Sequence, residues 1–267
     1  MIIHPTAVIA PGAKIEKDVS IGAYAIVEKN VTIGSGTKIG PHAYIDGHTS
    51  IGKNNTIGPF TSIGTPPQDL KYDGEPTRLE IGDDNLIREY VSIHRGTPGG
   101  NGVTKIGKGN MLMAYSHVAH DCTVGNKVIM ANSTTLGGHV VVRDHANIGG
   151  VVAVHQFTRI GEHTYIGGMS GVSKDVPPYV LASGVRSKMH ISGINTIGLR
   201  RSGYDQETIK MVKKAFVYIF KTPSLLLQDA LDKSLEEFPE CEPVVNMVEF
   251  FKAPNRMGVL RQTNGDK

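Results

Sequence analysis

The sequence contains no tryptophan, only two cysteines and 6% aromatic residues. Cys122 and Cys241 alone give no disulfide framework. No run of about 18 apolar residues occurs, so no membrane-spanning helix and no stable membrane insertion are expected. The opening residues, MIIHPTAVIAPGAKIEKD, lack the basic stretch and long apolar segment of a secretion signal. Charge is also nearly balanced, at +3 over 267 residues, which gives no footing for a nucleic-acid partner. These absences point to a cytoplasmic protein. What stands in excess is glycine, 32 of 267 residues, against a usual level of about 7%. Glycine does not recur at every third position, which excludes collagen. Valine and isoleucine are too frequent for simple disorder.

The excess belongs to a repeat. Ile3, Ile9, Ile15, Ile21, Val27, Ile33, Ile39, Ile45, Ile51, Ile57 and Ile63 follow one another at intervals of six. Ile81, Ile87 and Ile93 form a second series, and a third runs from Ile106 to Val172. Four residues after each aliphatic comes a small or β-branched residue, such as Ala7, Ala25, Thr37, Cys122, Thr134 or Val152. An α-helix has an apolar period of about 3.6 and does not fit. Six residues make a short strand and a corner, and Gly or Asn suits a corner because it tolerates positive φ. Three such units close a triangular coil, and coils stack by parallel pairing. At about 4.8 Å per coil, some nine coils give a prism roughly 40 Å tall.

This lattice assigns places to the polar residues. An aliphatic that points inward puts its two neighbours outward, and residues eighteen apart lie on adjacent coils. Asp121 and His139 then share one column, and His120, Gly138 and Gln156 share the next. With His117 and His155, one corner carries three polar layers. His42, His48, His145 and His163 fall in corner slots and read as turn residues. Cys122 takes an inward slot and reads as packing. Met111 and Ile129 are outward, apolar and stacked, as expected of a surface that packs against a neighbouring subunit.

Two excursions interrupt the count, at residues 65–78 and 95–104, both rich in Pro, Gly and charge. Skipping them puts Ile63 and Ile93 on the same face as Val118, which brings His94, Gln68, Asp69 and Lys71 toward the histidine corner. The division expected is a β-helical domain over residues 1–190 and a small α-helical domain over 191–267. Asp205 to Thr208 reads as a helix start, followed by Ile209, Val212, Ala215, Phe216 and Ile219 at helical spacing and ended by Pro223. Further helices are expected over 225–236 and 244–252.

Two chemistries fit the corner. In one, His120 is a general base, Asp121 supports it, and the Gly138 amide stabilises an oxyanion. In the other, several histidines hold zinc, as in β-helical carbonic anhydrases. A non-catalytic β-helix with a flat threonine face is a third alternative, against which the irregular outer faces argue.

The hexads resemble the hexapeptide-repeat acyltransferases. The segments HVAHDCTVGN (117–126), LGGHV (136–140), VHQF (154–157), GGMSGV (167–172), DVPPYV (175–180), QDLKYDGEPTRLEIGD (68–83) and IHRGT (93–97) resemble in particular the UDP-N-acetylglucosamine O-acyltransferases. The resemblance implies a left-handed parallel β-helix with a helical tail, assembled as a homotrimer. It implies transfer of an (R)-3-hydroxyacyl group from acyl carrier protein to the glucosamine 3-hydroxyl, as the first step of lipid A synthesis. The nearest alternative is the related UDP-3-O-acylglucosamine N-acyltransferase, which also has a catalytic His but normally carries an extra N-terminal domain, whereas here the repeats begin at Ile3. His120 matches the base and Gly138 the oxyanion donor. Gln68, Asp69, Lys71, His117, His139, His155 and Gln156 match positions lining the substrate cleft between subunits, which His94 adjoins. Asn195 and Arg201 match nucleotide contacts, whereas Ile197 and Ser202 stand where some members carry Glu and Arg. Gly168 matches the acyl-length position, with Met169 beside it. Lys188, Met189 and His190 lie in a segment longer than the family form, toward the same end of the cleft. No metal or other cofactor is implied beyond the phosphopantetheine arm of the donor. Arg186, Lys188, Arg200 and Arg201 form a basic set suited to an acidic carrier protein.

Overall fold

In the computed structural model, which describes residues 1–261 and Thr263, the hexads wind into three sheets of eleven, nine and eight strands, parallel except for the last strand of the first. The first sheet begins with Ile2–Ile3, the second with Val8–Ile9 and the third with Lys14–Ile15. Each coil contributes one strand to each sheet, so Ile3 pairs with Ile21 and Val118 with Leu136. The result is a left-handed parallel β-helix. The inward aliphatics form its core; Ile33, Ile45, Ile63, Ile93 and Leu136 are fully buried. A prism this thin holds few rings. Tyr24, His42, Phe60, Tyr90 and Tyr115 stack instead along the outside of one corner, with neighbouring centroids 4.8 to 5.2 Å apart.

Most glycines do not sit where positive φ is needed, although Gly12, Gly36 and Gly109 do. The left-handed slot is the third residue after the aliphatic, and most occupants are not glycine: Asp121, His139 and Phe157 have φ of 59, 61 and 66°. Glycine is required directly after the aliphatic, where coils touch. A Cβ on Gly22 would lie 2.7 Å from the Pro41 nitrogen, and one on Gly149 would lie 2.5 Å from the Gly168 nitrogen. The turn reading of His48 also needs correction. Gly47 takes the left-handed conformation there, and His48 opens the strand His48–Ile51.

Not all inward slots are apolar. Asn55, Asn85 and Asn110 form a buried ladder in which Asn85 Nδ2 donates to Asn55 Oδ1 at 2.9 Å, and the Asn110 amide donates to Asn85 Oδ1 at 2.9 Å. Both excursions leave the lattice intact. Ile63 pairs with Ile93 and Ile93 with Val118, and Arg78–Ile81 lies between His48–Ile51 and Val103–Ile106.

The parallel lattice gives way at Val180–Ser183, which pairs antiparallel with His190–Ile194 on the end of the first sheet. Helices α1 (Thr196–Arg201), α2 (Gln206–Lys221), α3 (Leu227–Glu237) and α4 (Glu242–Lys252) follow. Asp205 caps α2 by accepting from the Thr208 amide at 2.7 Å. Ile209, Val212, Ala215, Phe216 and Ile219 form its buried face. Val259 and Thr263 return to the prism through bridges to Asp175 and Ile191. Among the described residues, no helix is long and apolar enough to cross a membrane.

Candidate active site

His117, His120, Gly138, His139, His155 and Gln156 all belong to the corner between the second and third sheets, on three successive coils. The His120 Nδ1 lies 2.8 Å from Asp121 Oδ2. An ionised carboxylate accepts there, so Nδ1 carries the proton and Nε2 keeps its lone pair. The ring rests against Gly138: a Cβ at that position would stand 2.6 Å from His120 Cε1 and 2.7 Å from Nε2. The absence of a side chain therefore lets the free edge of the imidazole and the Gly138 backbone share one space. Among the described residues, nothing accepts from the Gly138 amide.

Asp121 is not an outward group as its column suggests. It is 1% exposed, covered by the second excursion. The Thr97 amide and hydroxyl and the Asn101 amide donate to its carboxylate at 3.1, 2.6 and 2.9 Å. The Asp121 amide donates to Thr104 Oγ1 at 2.8 Å. Burial works to raise the Asp121 pKa, but the hydrogen bonds from His120 and Thr97 outweigh it and hold the carboxyl below its ordinary range. The His139 Nε2 lies 4.0 Å from Asp121 Oδ2. The His139 ring meets His120 edge-on and stacks on Phe157, which Arg256 covers from the far side. Burial lowers the His139 pKa, opposed by the charges of Asp121 and Asp69.

The first excursion closes the other side. Asp69 orders it by accepting from the Lys71 amide at 3.0 Å, while Gln68 and Lys71 are exposed. Arg95 fastens this loop to the prism, donating to Gly64 O at 2.8 Å and to Tyr72 Oη at 3.0 Å. His94 and His117 meet edge-on at 4.7 Å. His94 is buried with no partner for Nδ1, and burial pushes its pKa down to about 4. His117 Nδ1 lies 2.7 Å from Ser92 Oγ, and burial lowers its pKa too. His155 is half-buried beside the exposed Gln156.

His120, Asp121 and His139 present ligand atoms within 4.8 Å of one another. The Asp121 oxygens already accept from His120, Thr97 and Asn101, which commits the lone pairs a cation would need. The geometry is that of a hydrogen-bonded dyad. Cys122, whose thiol donates to Gly137 O and whose pKa burial pushes up to about 12, is packing rather than nucleophile.

One chain does not bring every candidate together. Asn195 caps α1, accepting from the Gly198 amide at 2.9 Å and donating to His163 O at 2.9 Å. With Arg201, Ser202, His145 and His163 it lines a cavity of about 450 Å³ at the corner between the third and first sheets. Gly168 and Met169 lie at the remaining corner, where Met169 is 79% exposed. Between these two corners the first sheet presents Met111, Ile129, Asn147 and Tyr165 in register on its outer surface. Met189, a candidate for the far end of the cleft, is a core residue at 3% exposure, and the Arg186 side chain lies outside the described residues. The two excursions supply the contacts that periodicity cannot find, those of Arg95, Thr97 and Asn101. Their sequence signals are the interruption itself and, for Arg95 and Thr97, the IHRGT segment, which gives no partner for either residue.

Comparisons with known proteins agree with this fold. Residues 30–65 and 104–138 match the bacterial transferase hexapeptide family, and residues 175–260 match a family described as UDP N-acetylglucosamine O-acyltransferase, domain 2. The acyl-[acyl-carrier-protein]–UDP-N-acetylglucosamine O-acyltransferase of Thermodesulfovibrio yellowstonii is 53% identical over 259 residues, which cover 97% of this chain and 99% of the relative. The structure of LpxA from Acinetobacter baumannii is similar with a TM-score of 0.90 at 45% identity, covering 98% of this chain and 100% of that one. The UDP-N-acetylglucosamine acyltransferase of Francisella novicida superposes with a TM-score of 0.94 at 37% identity, covering 98% and 95%. By identity, coverage and architecture, this chain belongs to the UDP-N-acetylglucosamine O-acyltransferase family.

Proposed function

We propose that the protein transfers an (R)-3-hydroxyacyl group from acyl carrier protein to the 3-hydroxyl of UDP-N-acetylglucosamine, opening lipid A synthesis in the cytoplasm. The observation that carries the mechanism is the His120–Asp121 pair with the imidazole edge against Gly138. His120 Nε2 takes the proton of the sugar hydroxyl as its oxygen attacks the thioester carbonyl carbon. The new C–O bond forms, the carbonyl oxygen becomes an oxyanion, and the Gly138 amide donates to it. As the C–S bond breaks, the carrier's thiolate leaves with the proton from His120. Direct attack needs positioned reactants and no covalent enzyme intermediate. No metal or other cofactor takes a step; the donor brings its own phosphopantetheine arm.

The separation of candidates within one chain supports a homotrimer. The dyad sits on the corner opposite the first sheet, while Asn195, Arg201, Gly168 and Met169 flank that sheet. Packing the dyad corner of one protomer against the first sheet of the next assembles nucleotide, sugar and acyl sites in one cleft. Repeating that head-to-tail contact three times closes a ring. Leu70, fully exposed on the first excursion, then has an apolar neighbour to meet.

The test is turnover of UDP-N-acetylglucosamine with 3-hydroxyacyl carrier proteins of several lengths, with the product identified by mass. His120→Ala is expected to lower kcat by about 1,000-fold or more with unchanged folding. Wild-type-like turnover by that variant sinks the base assignment.

A further inference from the structure

The dyad carboxylate is not oriented by the β-helix that carries it. Asp121 occupies a left-handed corner slot, φ 59°, on a column whose other members, His139 and Phe157, remain half-buried. It becomes buried because the second excursion folds back over it, and the side chain that meets it there is Thr97, itself 3% exposed. The Thr97 hydroxyl donates to Asp121 Oδ2 at 2.6 Å, the same oxygen that faces His120 Nδ1 at 2.8 Å. The Thr97 amide adds a further donor at 3.1 Å. Gly100 makes the approach possible: a Cβ there would stand 2.5 Å from the Asp121 carboxyl carbon. The excursion thus delivers a hydroxyl to Oδ2 and backbone amides to both oxygens of one buried carboxylate.

We infer that Thr97 is a positioning residue of the reaction, holding the Asp121 carboxylate in the orientation that presents the His120 base. The inference rests on the reading of His120 as that base. A carboxylate held by a histidine alone can turn about its Cβ–Cγ bond. The Asn101 amide fixes Oδ1 at 2.9 Å, and the Thr97 hydroxyl is the side-chain donor that fixes Oδ2, the oxygen shared with His120, at 2.6 Å. It also draws charge from Oδ2, so the proton stays on His120 Nδ1. The hydrogen bonds from Thr97 are among the influences that hold the Asp121 carboxyl below its ordinary range.

The experiment compares Thr97→Val, Thr97→Ser and His120→Ala with the wild-type enzyme, using UDP-N-acetylglucosamine and a 3-hydroxyacyl carrier protein. Valine keeps the shape and loses the hydroxyl; serine does the reverse. Thr97→Val is expected to lower kcat by about 10- to 100-fold, the worth of one hydrogen bond to a charged group. KM for the sugar nucleotide stays within about twofold and Thr97→Ser within about threefold of wild type. The acid limb of the kcat/KM profile of Thr97→Val moves to higher pH, because a carboxylate relieved of one donor holds the imidazolium proton more tightly. A purely structural role gives the opposite order, with valine active and serine impaired, and lowers the profile without moving its limb. Either result overturns the inference. Thermal melts identify a valine variant that fails to fold, in which case an inactive but folded serine variant overturns it instead. If His120→Ala turns over like wild type, the base reading falls and takes this one with it. If His120→Ala is dead while Thr97→Val is unimpaired, only the role of Thr97 falls.

Discussion

His139 and His163 hold the same slot on two different corners. Each is the third residue after an inward aliphatic, each has positive φ, and each stacks on an aromatic ring in the next coil. Burial lowers the pKa of both. Their surroundings differ in what lies over the lattice. Above His139 are the carboxylate of Asp121, the second excursion and the Arg256–Phe157 pair. Around His163 are His145, Tyr179, Tyr204 and Ser202, the last with its hydroxyl 3.3 Å from Nδ1. The first set places a buried acid beside His120 and Gly138; the second joins the prism to the helices and forms one wall of the cavity lined by Asn195 and Arg201. The repeat therefore supplies equivalent positions, and the irregular segments laid across them decide which become chemistry.

Substitutions can sharpen that contrast. The largest effect after loss of His120 is expected at Gly138→Ala. A Cβ 2.6 Å from the His120 ring must displace the imidazole, and kcat should fall by about 100-fold. Thermal melts should shift little, since that collision is with a part-exposed side chain. Undiminished kcat would mean the ring and the glycine are not partners in catalysis.

A smaller, differently partitioned effect is expected at Arg95. Lysine cannot span Gly64 O and Tyr72 Oη together, so the first excursion loosens from the prism. KM for the sugar nucleotide should rise about tenfold while kcat stays within about threefold. Steady-state kinetics separate the two, and a pure kcat defect would remove Arg95 from substrate binding.

The smallest effect belongs to the His163 corner and to pH. Burial pushes the His163 pKa down to about 4 from 6.5. Below about pH 6.5 the unfolded chain takes up this proton, whereas the folded chain waits until about pH 4. Stability is therefore complete above 6.5 and falls as pH drops toward 4. His163→Phe keeps a ring against His145 and Tyr179 and removes the titration. Between pH 7 and 4.5 it should lose about 1 to 3 kcal/mol less than wild type in urea unfolding. An identical pH loss would place the acid sensitivity elsewhere, with His94 the next candidate.

The legible part of the molecule is the part with a period. Ile3 to Ile63 and Ile106 to Val172 announce the coils, and stepping over the loops places Ile63, Ile93 and Val118 in one sheet. The same count puts His120 beside Gly138. What could not be read has no period. Thr97, Asn101 and Arg95 find their partners through loop conformations set by contacts distant in sequence. Conformational preference places the glycines in corners, yet Gly22 and Gly149 answer to backbone collisions between coils. The antiparallel strand His190–Ile194 and the short helix α1 follow a hairpin with no hydrophobic rhythm of its own. Met189 is buried by that hairpin's bend, which its exposed-looking neighbours Lys188 and His190 conceal.

One more consequence follows from the way each excursion rejoins the prism. Ser62 pairs with Ser92, and Ser92 with His117, across sequence gaps longer than one coil. The stack counts by pairing rather than by chain distance, so it behaves as a self-correcting register. A residue added to or removed from either loop tip is absorbed before the next strand docks, at a closure cost that grows only slowly with length. His120 and Gly138 keep their relative address through such changes, while whatever the loop presents to them is rewritten. The placement of the coils and the contacts that the loops make with them can thus drift independently, and changes of length among relatives should concentrate in the loop tips before they reach the coils.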